Sequence, residues 1–189
     1  EFDPEDKDGF FSKTYNVYGA VMAVGCSMII IMNIPLARFL YSDDFFIAWR
    51  YSSILVIATM FNTLTAFIGS IFSAARSTHI IATTTILSAV INTILNIILI
   101  PKLGPSGAAI ATVIAYFAMW QIRLLYLKKI MRLNYNFLKN IVTYALLVLQ
   151  VIFEHHLNHF YVGQIMCVCF LMIINLSELK MVAKKLLSV

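Results

Sequence analysis

The stretch Asn92-Thr93-Ile94-Leu95-Asn96-Ile97-Ile98-Leu99-Ile100-Pro101-Lys102-Leu103-Gly104-Pro105-Ser106-Gly107-Ala108-Ala109-Ile110-Ala111-Thr112 decides how the chain is read. An apolar helix carries Asn92 and Asn96 one turn apart on one face and is expected to stop at Pro101. Gly104, Pro105 and Gly107 then mark a tight reversal. A second apolar helix starts on small residues, and Gly107, Ala111 and Ala115 repeat every fourth position. That spacing lets a neighbouring backbone approach closely, as membrane helices require. The stretch predicts a helical hairpin that crosses a membrane and returns.

Composition agrees outward from this point. The chain has 189 residues, 61% hydrophobic and 12% charged, too few charges to solvate a soluble domain of this size. Uncharged runs predict six membrane helices, over about 14–37, 45–75, 79–100, 106–126, 140–153 and 160–176. Pro35 is expected to kink the first. The domain expectation is a polar connector at 1–13, a four-helix part at 14–127, a basic loop at 128–139, two peripheral helices at 140–178 and a basic tail at 179–189. The last pair is expected to lack a polar stripe.

With six spans both ends lie on one side. That side carries Lys7, Lys13, Arg76, Arg123, Lys128, Lys129, Arg132, Lys139, Lys180, Lys184 and Lys185, eleven cations against Arg38, Arg50 and Lys102 opposite. The positive-inside rule therefore predicts both ends cytoplasmic. The net charge of +5 is a topology signal. No basic groove interleaved with aromatics points to a nucleic-acid partner.

Polar residues inside the spans are the candidates for function. Thr59, Asn62, Thr63, Ala66, Ser70 and Ser73 form a stripe on the second helix, which either packs against other helices or faces a wet cavity. Thr85, Ser88, Asn92 and Asn96 form another on the third. Arg50 snorkels to the interface or faces an anionic cargo, and Gln121 is a further candidate for cargo contact. Trp120 beside Arg123 is expected as an interface anchor. Asn96 and Thr112 flank Gly104 at equal distance in sequence, so they should sit at similar depth. With Asn92 and the carbonyl of Ala108 they make a set of neutral oxygens suited to a hard cation, or a set of hydrogen bonds between helices. Glu154, His155, His156 and His159 are expected in a solvated outer loop, with a metal site as the lesser reading. Cys26, Cys167 and Cys169 lie in apolar runs and are expected as buried hydrophobes. No nucleophile-with-base pattern or phosphate-binding glycine loop occurs, so no enzyme is expected.

The hairpin, together with Phe72-Ser73-Ala74-Ala75-Arg76-Ser77-Thr78 before it, resembles the signature of the polysaccharide and O-antigen flippases. These belong to the multidrug/oligosaccharidyl-lipid/polysaccharide exporter superfamily, and the resemblance runs from about Pro35 to Trp120. It implies an all-α integral membrane protein whose six helices form the C-terminal part of a MATE-like two-bundle transporter, with an upstream half missing. It implies movement of undecaprenyl-pyrophosphate-linked oligosaccharide across the bacterial plasma membrane. The implied partners are that lipid-linked oligosaccharide and the bilayer, with no resident cofactor and with Na⁺ or H⁺ coupling. Lipid II flippases, which look similar here, place a sodium site on these two helices, completed by carboxylates. This chain has Asn96 where an aspartate would be expected. A MATE-type drug exporter is the alternative on the same fold. A membrane enzyme of envelope polysaccharide synthesis is the alternative of another class.

Overall fold

The computed structural model describes residues 5–156 and 161–187. It is all-helical there: α1 (Phe10–Leu40), a 3-10 turn (Asp43–Ala48), α2 (Trp49–Ala74), α3 (Thr78–Leu103), α4 (Pro105–Leu127), α5 (Phe137–His156), α6 (Tyr161–Ile174) and α7 (Leu176–Leu187). Among the described residues five helices are long and apolar enough to cross a membrane, and the count reaches six if the bent pair α6 and α7 is one span. The chain is an all-α, multi-pass membrane protein.

The sixth span, expected over about 160–176, is a bent pair. α6 alone has 14 residues, about 21 Å at 1.5 Å per residue, shorter than a ~30 Å hydrocarbon layer. The chain bends by 70° into α7, and the two together pass as a sixth, broken span. The basic tail is therefore helix α7. It sets Leu179, Val182 and Ala183 on one face and Lys180, Lys184 and Lys185 on another, an amphipathic pattern.

Several ends also move. α3 does not stop at Pro101 but runs on to Leu103. A proline in the last turn costs one hydrogen bond, and the Gly104 amide closes the helix on the Ile100 carbonyl at 2.8 Å. Gly104 then adopts φ 58°, ψ −142°, a conformation closed to side chains, and Pro105 opens α4 where its missing N–H has no partner to lose. α2 ends in a Schellman turn: the Ser77 amide donates to the Phe72 carbonyl at 2.8 Å and the Arg76 amide to Ser73 at 3.1 Å. Arg76 holds the left-handed position, at φ 55°. The connector at 1–13 is not simply solvated. Asp6 accepts from the Phe11 and Ser12 amides, both at 2.9 Å, and so caps α1, whose start Gly9 has no side chain to cap.

The chain divides into two compact units, Glu1–Tyr15 with Ala58–Asn134, and Asn16–Ile57 with Tyr135–Val189. This is a different grouping from 14–127 apart from 140–178.

In the first unit α3 and α4 form the expected hairpin. A Cβ on Gly107 would lie 2.5 Å from the Leu99 carbonyl oxygen, so the two backbones touch there. Ala111 and Ala115 are buried on the same face, and the Ser88 hydroxyl donates to the Ala115 carbonyl at 3.0 Å. Leu64, Ile68, Ile71 and Phe72 of α2 are fully buried. Trp120 is not an interface anchor: it is 4% exposed, and its indole N–H donates to the Tyr15 hydroxyl at 3.0 Å.

In the second unit α1 meets α5 through buried polar pairs. The Ser27 hydroxyl donates to Gln150 Oε1 at 2.8 Å, and Gln150 Nε2 returns a bond to the Ser27 carbonyl at 2.9 Å. Thr143, Gln150 and Glu154 are all buried on α5. That helix therefore has the polar stripe that the sequence reading denied it. The signal was present as a spacing of seven and four residues, hidden among branched apolar neighbours.

Candidate functional site

Polar groups in a span have to be satisfied by protein, because the bilayer core offers no water. The first unit bonds four of the five N–H groups of its largest one. Arg123, expected at the interface, is 4% exposed. Its Nε donates to Thr84 Oγ1 at 2.9 Å, Nη1 to the Thr65 carbonyl at 2.9 Å, and Nη2 to Thr85 Oγ1 at 3.0 Å and to the Ile81 carbonyl at 3.3 Å. One guanidinium thus ties α2, α3 and α4 together through neutral oxygens. Gly69 makes room for it: a Cβ there would lie 3.0 Å from Nη1. Sequence reasoning counted Arg123 as a topology charge. The signal it passed over was Thr84 and Thr85, two adjacent hydroxyls on the neighbouring span.

The four residues expected to hold a cation come together. Asn96 Nδ2 donates to Asn92 Oδ1 at 2.9 Å, Asn92 Nδ2 reaches Thr112 Oγ1 at 3.4 Å, and the Thr112 hydroxyl donates to the Ala108 carbonyl at 2.9 Å. This is a chain of hydrogen bonds running from α3 to α4, with the amide donors turned inward. Asn96 Oδ1 is buried and accepts no hydrogen bond among the described residues. A cation entering here would use that oxygen and would have to turn the Asn92 amide over.

The three residues expected to contact cargo are placed on separate elements. Asn62 and Gln121 belong to the first unit, on α2 and α4. Asn62 is exposed near the middle of its span, and Gln121 is half-buried. Around Asn62, Thr59, Ala66, Ser70 and Ser73 are exposed too, so the stripe on α2 faces away from the unit's core. Thr63 and Ser70 return their hydroxyls to carbonyls of their own helix, at 2.6 and 2.7 Å. Asn62 has no intramolecular partner among the described residues.

Arg50 belongs to the second unit. It is exposed, with its guanidinium carbon 5.6 Å from the centre of the Trp49 ring. Near it the expected outer loop is corrected: Glu154, His155 and His156 are the end of α5. Glu154 is 1% exposed and accepts from Asn33 Nδ2 at 2.8 Å, while the same Nδ2 donates to the Trp49 carbonyl at 2.7 Å. His155 Nε2 lies 2.8 Å from the Arg50 carbonyl. His159 lies outside the described residues, and among the described residues no group of three His, Cys, Asp or Glu side chains is placed to hold a metal. Cys26 and Cys167 are buried as expected, while Cys169 is exposed.

The chain is similar to a membrane protein over about half of its length. It is 34% identical over 92 residues to an uncharacterized membrane protein of Methanocaldococcus jannaschii. The matched stretch is 49% of this chain and 18% of that protein. No family model matches the chain, and no solved structure matches it. The similarity agrees with the membrane assignment made from the helices.

Proposed function

We propose that this chain is part of a membrane transporter that flips a lipid-pyrophosphate-linked oligosaccharide between leaflets. Asn62 is the observation that carries the reading. A primary amide near the middle of a span, exposed and without an intramolecular partner, is costly against lipid. It fits a helix whose outer face borders water or polar cargo. The neighbouring stripe of Thr59, Ala66, Ser70 and Ser73 is small enough to leave room for a sugar chain. The hairpin motif supplies the cargo class by its resemblance to the polysaccharide flippases. In this proposal Asn62 and Gln121 of the first unit contact cargo, Arg50 of the second unit is a separate candidate contact, both ends of the chain are cytoplasmic, and the protein acts as a carrier and not as an enzyme.

The test is reconstitution of the full-length protein in liposomes with a lipid-linked oligosaccharide whose sugar is read by a lectin added outside. Protein-dependent exposure of the sugar is expected, reduced by Asn62→Leu at unchanged protein abundance. Transport of cationic dyes with no sugar exposure would favour a drug exporter. Glycosyl transfer with no sugar exposure would favour a membrane enzyme.

A further inference from the structure

Directly past the end of the α4 span, a cavity of about 620 Å³ is lined by Glu5, Lys7, Lys128, Lys129, Ile130, Met131 and Arg132. Its two walls are fixed by the fold. On one side, the Ile130 and Met131 amides both bond to the Leu127 carbonyl, at 2.9 and 2.8 Å, and Met131 is 3% exposed. On the other, the Asp6 cap holds the connector, and the Asn134 amide donates to the Ser12 hydroxyl at 2.9 Å. The lining therefore carries four cations and one carboxylate. That carboxylate, Glu5, is spoken for by Lys7 at 3.1 Å.

Membrane topology explains why cations gather on one side of a span. It does not require them to converge on a common cavity. The carbonyl end of α4 adds negative potential that favours Lys128 and Lys129 individually, but among the described residues no carboxylate pairs with Lys128, Lys129 or Arg132. Lys129 sits with Nζ 5.6 Å from the centre of the Tyr126 ring, and half-exposed Tyr126 is of the kind that marks headgroup depth. Buried Met131 and partly buried Ile130 give the cavity an apolar side next to its charged one.

We infer that this cavity, framed by Lys7, Lys128, Lys129 and Arg132, binds the phosphate of an anionic ligand at the membrane interface. Arg132 is suited to fork onto two phosphate oxygens, and the lysines act as point charges around it. The phosphate arrives either on a membrane phospholipid headgroup or on a soluble polyanion. The site is independent of the transport reading.

The experiment places the full-length protein in nanodiscs of phosphatidylcholine alone. Thermal midpoints are read by intrinsic fluorescence after adding either phosphatidylglycerol to the lipid or pyrophosphate to the buffer. The parent should be stabilised by at least one of these, with the half-maximal concentration raised about tenfold or more in Lys128→Gln/Arg132→Gln, given the worth of each interfacial cation. Lys184→Gln/Lys185→Gln on α7 removes the same charge elsewhere and should respond as the parent does. A response to phosphatidylglycerol supports the site with a lipid source, and a response to pyrophosphate alone supports it with a soluble one. No response to either, or an equal loss in the α7 variant, overturns it. The midpoint of each variant in phosphatidylcholine alone separates lost binding from a damaged fold.

Discussion

Arg123 donates from Nη1 to the backbone carbonyl of Thr65 at 2.9 Å, joining the end of α4 to the middle of α2 with no carboxylate among its hydrogen-bond partners. A buried cation held by neutral oxygens depends on the fork geometry of the guanidinium, since among the described residues no carboxylate pairs with it to offset its desolvation. Arg123→Lys keeps the charge and loses most of the bonds. Hydrogen bonds to a charged group are worth about 1.5–3 kcal/mol each, so a loss of at least about 2 kcal/mol is expected. Gly69→Ala pushes a methyl toward the same guanidinium and should cost about 1–3 kcal/mol as overpacking. Because both act on one group, the double variant should be less damaged than the sum of the singles. Denaturation midpoints in detergent check this, and strict additivity would show that Gly69 and Arg123 do not share a constraint.

Gly107→Ala should weaken the α3–α4 hairpin by about 1–3 kcal/mol, the usual range for overpacking. The clash is with the Leu99 carbonyl, which no rotamer change relieves. Gly25 is the internal control, because a Cβ there meets nothing within 4 Å. Gly25→Ala should be neutral or mildly stabilising through its helix propensity. Equal thermal shifts in the two variants would refute the close crossing.

Sodium dependence tests the asparagine chain. Asn96→Asp places a carboxylate at the buried oxygen that accepts no hydrogen bond, so the full-length protein should gain or sharpen a sodium requirement for transport. Asn92→Ala and Thr112→Val should each remove any such requirement. Transport indifferent to sodium in both the parent and Asn96→Asp would leave the chain as a packing device. Asn92→Ala should then cost about 1 kcal/mol, since interhelical hydrogen bonds in membranes average about 0.6 kcal/mol each.

Asp6 gives a pH dependence with a defined sign. Burial works to raise its carboxyl. The Ser12 hydroxyl, the Ser12 and Phe11 amides and the Lys13 charge outweigh that and hold it below the ordinary value of 3.8. Between the folded and unfolded values the unfolded chain binds more protons. The stabilisation is therefore complete above the unfolded value and fades as pH falls through the folded one. Asp6→Ala should cost about 1 kcal/mol at neutral pH, as lost helix caps do. The gap to the parent should close once the solution is more acidic than the folded pKa. A gap that persists unchanged in solution more acidic than the folded pKa would show that the cap does not depend on the carboxylate.

The sequence by itself determined the membrane class, the α3–α4 hairpin and the face on which Gly107, Ala111 and Ala115 pack. It also brought Asn92, Asn96, Ala108 and Thr112 together. These are local matters: hydropathy fixes which residues leave water, and helical periodicity fixes which side chains share a face. Only the tertiary structure decided where Arg123, Trp120 and Glu154 go. Each was placed at an interface or in a loop because charged and amphipathic residues near span ends normally snorkel to water. Each is instead buried because another segment, distant in sequence, brings it a partner: Thr65 and Thr84 for Arg123, Tyr15 for Trp120, Asn33 for Glu154. Burial of a polar group depends on whether such a partner arrives. Neither the hydropathy nor the periodicity of a single helix carries that information.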